Sequence, residues 1–248
     1  MNHMKLIPNI FIAVLMLLSA PAYTAQQGEY ITLETEHQKS FKAYVAGPMD
    51  TSRGILLIHG WLGLNQDIEA LTMKFAKSGY RTMAIDLYGG DVANNPKDAK
   101  LLMMSVKQSE ANDKYRTALQ ALVAPGRKLA TIGWSYGGSQ ALHATLSAPK
   151  LVSATVSYYP FGKMISDKKT LEPMQGPILI LVGDEDFSFT RDKVKSYQDD
   201  MANAGKILQV KTYNAKHGFD REKGKNYNQA AQVKAEAATH QFLDVNLN

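Results

Sequence analysis

Cysteine is absent from the 248 residues, and histidine is scarce, with six. Without a thiol there is no disulfide framework, no lipid attachment at a cysteine ending a signal, and no thiol nucleophile. A basic stripe interleaved with aromatics is also missing: formal net charge is +5, with lysines and arginines scattered singly or in pairs. That argues against a nucleic-acid-binding face and leaves a soluble, mildly basic surface. There is no internal repeat, no low-complexity tract and no composition break. The length suits one sizeable α/β domain with a large core.

Long apolar runs are lacking too. The run Ile10-Phe11-Ile12-Ala13-Val14-Leu15-Met16-Leu17-Leu18 falls well short of the roughly 20 residues that span a bilayer. Lys5 precedes it, and the small, helix-breaking stretch Ser19-Ala20-Pro21-Ala22-Tyr23-Thr24-Ala25 follows. This is the order of a secretory signal. Residues 1–25 are therefore expected to be a signal peptide, and 26–248 the folded domain of a periplasmic or secreted bacterial protein. Ala20-x-Ala22 fits cleavage after Ala22; cleavage after Ala25 would put Tyr23 three residues back. An uncleaved anchor is the alternative.

What is present is an alternation of strands and helices. Ile31–Thr35 and Phe41–Val45 alternate apolar and polar residues and read as an edge hairpin. Gly54-Ile55-Leu56-Leu57-Ile58-His59-Gly60 reads as a strand buried on both faces. Asn65 caps a helix with Ile68, Leu71, Phe75 and Ala76 on one face, stopped by Gly79. Tyr80–Leu87 is the next strand. One long helix is expected after Pro96, running through Leu101, Val106, Tyr115, Leu119 and Leu122 to Pro125-Gly126. Further strands fall at Leu129–Ile132, Val152–Tyr158, Pro177–Val182 and Ile207–Tyr213. Helices lie on Ala141, Leu142, Thr145 and Ala148, near Ser188 or Thr190, and on Ala230, Val233, Ala237 and Phe242. Such alternation implies a mainly parallel sheet with helices on both faces and ligands beyond the carboxyl ends of the strands.

One of those ends carries Gly133-Trp134-Ser135-Tyr136-Gly137-Gly138. A strand turning sharply into a helix strains the residue at its apex and presents it forward, and the two flanking glycines leave room for the crossing backbones. The five-residue pattern is weak alone, because a glycine-rich turn can hold an incidental serine. A serine nucleophile needs an imidazole base held by a carboxylate. His37, His143 and His240 read as surface or helix-packing residues. His59 precedes the nucleophile, at a bend, and reads as structural. His217 follows the last strand and is the candidate base. Gly183-Asp184-Glu185-Asp186 leaves another strand; Asp186 lies far enough out to reach His217, whereas Asp184 is placed to order the turn, and spacing leaves both open. The chain order Ser135, Asp186, His217 is that of α/β-hydrolases. The oxyanion donors expected are the backbone N–H of Tyr136 and that of Trp61 or Leu62. Trp61 and Trp134 could pack, line the site, or both.

The chain resembles the dienelactone hydrolase family of α/β-hydrolases over residues 28–245. The residues carrying the resemblance are Leu56 to Asn65, Gly79-Tyr80, Asp86-Leu87-Tyr88, Gly133 to Gly138, Gly183 to Asp186, and His217-Gly218-Phe219. The resemblance implies Ser135, Asp186 and His217 as the triad and favours Asp186 over Asp184. It implies a substrate-binding role for Arg221, where family members hold a carboxylate. Trp134 is added as a candidate substrate contact. Two departures stand out: family members use a cysteine where this chain has Ser135, and a glutamate where it has Gly60. Their second carboxylate-binding arginine has no clear counterpart, although Lys97 and Lys100 lie in the right region.

Only the stretch from Pro160 to Gly176 is available for a lid, so no cap domain and an open site are expected. The function expected is serine hydrolysis of small carboxylic esters or lactones through an acyl-enzyme, with no metal or organic cofactor. No nucleic acid and no stable membrane association after signal removal are implied. Alternatives are a non-catalytic ligand-binding protein on the same fold, an amidase or an acyltransferase.

Overall fold

The computed structural model describes residues 27–248; the expected signal at 1–25 lies outside the described residues. Eight strands form one sheet in the order β1-β2-β4-β3-β5-β6-β7-β8. The hairpin β1 (Glu29–Glu34) and β2 (Ser40–Ala46) occupies one edge and pairs antiparallel with β4 (Arg81–Ile85). From β4 onward every pairing is parallel: β3 (Arg53–Ile58), β5 (Lys128–Trp134), β6 (Val152–Tyr158), β7 (Ile178–Gly183) and β8 (Leu208–Tyr213).

The continuous apolar runs make this sheet because alternate residues serve opposite layers. Ile55 and Leu57 of β3 join Ile68 and Phe75 of α1 (Gln66–Lys77) and Phe242 and Leu243 of α7 (Gln229–Leu247) on one face. Leu56 and Ile58 face the other way, toward Tyr115 and Leu119 of α3 (Gln108–Leu122) and Ala141 of α4 (Tyr136–Ser147). Farther along the sheet, β7 packs on Tyr197 and Met201 of α6 (Arg191–Asn203). Asn65 caps α1 through its side chain, which accepts from Ile68 N, as its position before the apolar stripe leads one to expect.

Two expectations about helices fail. The long helix after Pro96 is two, α2 (Pro96–Ser105) and α3, because Val106 and Lys107 between them are extended. The apolar stripe does not run through: α2 buries only Ala99, and Leu101 is exposed. In α7 the inward face is Ala231, Ala235, Thr239, Phe242 and Leu243; of the four residues expected there only Phe242 is buried, and Val233 is exposed.

Between β6 and β7 lies only the four-residue helix α5 (Lys168–Leu171), so no cap domain covers the strand ends. The chain goes from β3 outward to β4 and then returns to β5 on β3's other side. That reversal opens a crevice at the carboxyl ends of β3 and β5. No helix among the described residues is long and apolar enough to cross a membrane.

Candidate active site

Ser135 caps α4 at φ +54° and ψ −116°, a conformation that L-residues rarely adopt. The turn is possible because of its glycines. A Cβ on Gly133 would lie 1.9 Å from Gly137 O, and one on Gly137 would lie 2.3 Å from Ile58 O. Beneath it, the buried hydroxyls of Thr131, Thr145 and Thr155 tie β5, α4 and β6 together, with Thr145 Oγ1 at 2.7 Å from each of the others. The apex therefore sits on a packed base.

Ser135 Oγ is 2.8 Å from His217 Nε2, and His217 Nδ1 is 2.8 Å from Asp186 Oδ2. The second Asp186 oxygen, Oδ1, accepts from Ser188 N at 2.7 Å, Ser188 Oγ at 2.7 Å and Phe189 N at 3.1 Å. Burial alone would raise the Asp186 carboxyl, but the hydrogen bonds from His217 and Ser188 outweigh it and hold the group below the usual carboxylate range. An anion thus faces Nδ1, which favours the tautomer with the proton on Nδ1 and leaves Nε2 free to accept from the serine. Asp184, the other candidate acid, accepts from Ala215 N at 3.2 Å and ties the turn to the strand end.

The backbone N–H of Tyr136 is the first of α4 and has no partner within the helix. Across the crevice, the Gly60–Gly63 loop is fixed by its carbonyls: Gly60 O lies 2.7 Å from His59 Nδ1, Trp61 O accepts from Tyr88 Oη at 3.2 Å, and Leu62 O accepts from Ala93 N at 2.9 Å. Leu87 N donates to His59 Nε2, so the imidazole carries its proton on Nδ1 and donates it to Gly60 O. Burial lowers the His59 pKa to about 4, keeping the ring neutral and the loop tethered. Gly63 N closes the loop on Gly60 O at 3.3 Å, and the amides of Trp61 and Leu62 donate to no group among the described residues. A Cβ at Gly60 would meet Trp134 O at 3.3 Å, so loop and elbow are in contact.

The family model "Dienelactone hydrolase family" matches residues 41–247. The chain belongs to the dienelactone hydrolase family. Carboxymethylenebutenolidase 1 of Cupriavidus pinatubonensis is 24% identical, the match covering 82% of this chain and 91% of that one. An Aquifex aeolicus protein named "Putative carboxymethylenebutenolidase" is 27% identical over 79% of this chain and 88% of its own. The crystal structure named "Putative Dienelactone Hydrolase" from Klebsiella pneumoniae superposes with a TM-score of 0.75 at 18% identity, covering 87% of this chain and 99% of the other. Family membership makes the protein a hydrolase of ester or lactone bonds.

Within this dienelactone hydrolase fold the remaining candidates separate. Arg221 is exposed beyond His217, its side chain lying along Gly218 and forming no ion pair among the described residues. Trp134 does not face the crevice. Its indole is buried, stacked on Tyr158 at 5.0 Å, with Nε1 donating to Asp220 Oδ2 at 2.7 Å. The alternation along β5 explains this: Trp134, adjacent to the apex, points into the α7-side core.

Two residues of the site escape sequence reasoning. Ser188 Oγ lies 3.0 Å from His217 Nδ1 as well as on Asp186, and also contacts Pro160 O at 3.3 Å. Asp220 accepts from Trp134 and from Tyr159 Oη. Burial raises its carboxyl despite those bonds. Asp-x-Ser was a readable signal for Ser188, because the aspartate side chain caps its own turn. Asp220 meets partners far off in sequence and offers no local sign.

Proposed function

We propose that this protein is a serine esterase or lactonase that acts on small-molecule substrates outside the cytoplasm, through an acyl-enzyme. The observation that carries the reading is the hydrogen-bonded line Ser135–His217–Asp186, with the serine held at a positive φ. Holding that backbone costs on the order of 1–3 kcal/mol. A binding protein would have no use for such strain.

In the proposed cycle Ser135 Oγ attacks the carbonyl carbon while His217 Nε2 takes its proton. The carbonyl oxygen becomes an oxyanion facing Tyr136 N and the Trp61–Leu62 amides. His217 then protonates the leaving alkoxide, which departs as alcohol and leaves the acyl group on Ser135. Water repeats the sequence with His217 as base, releasing the acid and restoring the serine. Asp186 stabilises the imidazolium throughout without taking the proton.

A serine at this apex needs its neighbouring base more than a thiol would, since a hydroxyl is far from ionised at neutral pH. The tight Oγ–Nε2 contact meets that need. Arg221, as an exposed planar cation, is suited to a substrate carboxylate, and the relatives named carboxymethylenebutenolidase favour a lactone among the substrates. The order of charged, apolar and small residues in 1–25 supports export.

Replacing Ser135 by Ala should lower kcat on a chromogenic acetate by about 10⁶-fold and abolish labelling by a fluorophosphonate probe. A folded Ser135→Ala protein that keeps most of its activity would overturn the assignment.

A further inference from the structure

Two aromatic side chains beside His217 have no part in the cycle above. Phe187 is 70% exposed, although it follows the buried Asp186 directly. Its ring centroid lies 5.0 Å from the imidazole, and that of Phe161 lies 6.4 Å from the imidazole and 6.4 Å from Phe187. Tyr159 closes the inner side, 4.8 Å from the same ring, but it is buried and bonded to Asp220.

A lone exposed phenylalanine on a slack loop would need no explanation. Here the backbone on both sides is fixed by bonds that also build the site. Ser188 N and Ser188 Oγ donate to Asp186 immediately after Phe187, and Ser188 Oγ lies 3.3 Å from Pro160 O of the other loop. Phe161 N donates to Ser135 O at 3.0 Å, and Ser139 Oγ donates to Phe161 O at 2.6 Å. The acid, the nucleophile and the two rings are therefore held as one unit.

Resting on the acyl-enzyme reading, we infer that Phe161 and Phe187, in contact with each other, form an apolar wall for the alcohol part of the substrate, selecting apolar leaving alcohols of aryl-methyl or cycloalkyl type. The argument is one of placement. His217 Nε2 delivers its proton to the leaving oxygen, so that oxygen lies within hydrogen-bond reach of the imidazole. The substituent it carries then extends along the imidazole's flank, where the two rings stand. The oxyanion donors come instead from the β3 loop and the start of α4. An apolar alcohol would cover the open face of Phe187 and meet ring edges in the offset geometries that aromatic groups favour. A small or polar alcohol would leave it in water.

The test uses the mature protein with acetates of benzyl alcohol, cyclohexylmethanol and 2-methoxyethanol, alcohols of similar basicity but different apolar area. A parallel series of methyl esters varies the acyl group instead. Because kcat/KM covers only the steps through acylation, it reads contacts made while the alcohol is still bound. The unaltered protein should favour benzyl and cyclohexylmethyl acetate over 2-methoxyethyl acetate by roughly tenfold or more. Phe187→Ala should erase most of that preference, losing about tenfold on benzyl acetate and little on 2-methoxyethyl acetate, while Phe187→Leu keeps an intermediate share. The acyl series should keep its order, and fluorophosphonate labelling of Ser135 should persist.

Equal losses on all acetates would overturn the inference, since the rings would then serve only the imidazole. So would an unaltered protein indifferent to the alcohol, or a Phe187→Ala effect confined to the acyl series. Failure of the acyl-enzyme reading itself looks different: Ser135 would not label, and Ser135→Ala would retain turnover.

Discussion

Asp186 and Asp220 both contribute a carboxylate to the surroundings of His217, one from the turn after β7 and one from the loop that carries the histidine. Their environments push them in opposite directions: the Asp186 carboxyl lies below its ordinary value and that of Asp220 above it. Desolvation raises both. The difference lies in the donors. Asp186 collects the imidazole, the Ser188 hydroxyl and two backbone N–H groups. Asp220 has an indole N–H and a phenol O–H, and these do not offset its burial. One region thus maintains an anion opposite Nδ1, where the proposed cycle forms an imidazolium. The other ties Trp134 and Tyr159 to the histidine loop, and its burial opposes ionisation.

The widest separation between the two should appear in turnover. Asp186→Asn places a neutral amide opposite Nδ1 and removes the preference for the productive tautomer, so kcat on an aryl acetate should fall by about 10⁴-fold. Asp220→Asn keeps the shape and an acceptor, so its loss should be no more than about tenfold. Both are checked on protein shown by circular dichroism to be folded. Comparable losses would mean that turnover depends on the Asp220 carboxyl as much as on that of Asp186.

Ser188 offers a finer probe of the Asp186 region. Removing its hydroxyl deletes a bond to a charged acceptor, a contact worth about 1.5–3 kcal/mol. Ser188→Ala should lower kcat by roughly tenfold with KM little changed, and Ser188→Thr should restore most of it. A KM effect without a kcat effect would place Ser188 in substrate binding instead.

How much of this was legible from residues alone follows from where each partner sits. The sheet was, because β3, β5 and β7 are continuous apolar runs whose alternate residues serve two layers. The elbow was, because Gly133 and Gly137 are demanded by contacts that sequence spacing already encodes. The break after Ser105 was not: Leu101 and Val106 look like one stripe, yet Leu101 is exposed, and only Ala99 of the first helix is buried. The inward face of α7 was missed because alanines such as Ala231 and Ala235 pack closely without a strong hydrophobic signal. Sequence leaves Trp134 open between packing and lining the site, and the structure resolves it toward packing because neighbours on a strand face opposite ways. Asp220 finds its partners only once β5, β6 and the histidine loop have come together.

Stability against pH gives the smallest effect, and it sharpens the comparison by sign. A carboxyl with a lowered folded value contributes stability that is present above its unfolded value and lost as pH falls through the folded one. Asp186 is that case. For Asp220 the folded state favours the proton, so its contribution is present below the ordinary carboxylate value and is lost as pH rises through the raised one. Asparagine titrates at neither position. In urea unfolding followed from about pH 3.5 to pH 7, Asp220→Asn should therefore gain on the unaltered protein as pH rises. Asp186→Asn should lose ground over the acid part of the same range. Parallel curves for the two variants would show that the two carboxyls are not shifted in opposite directions.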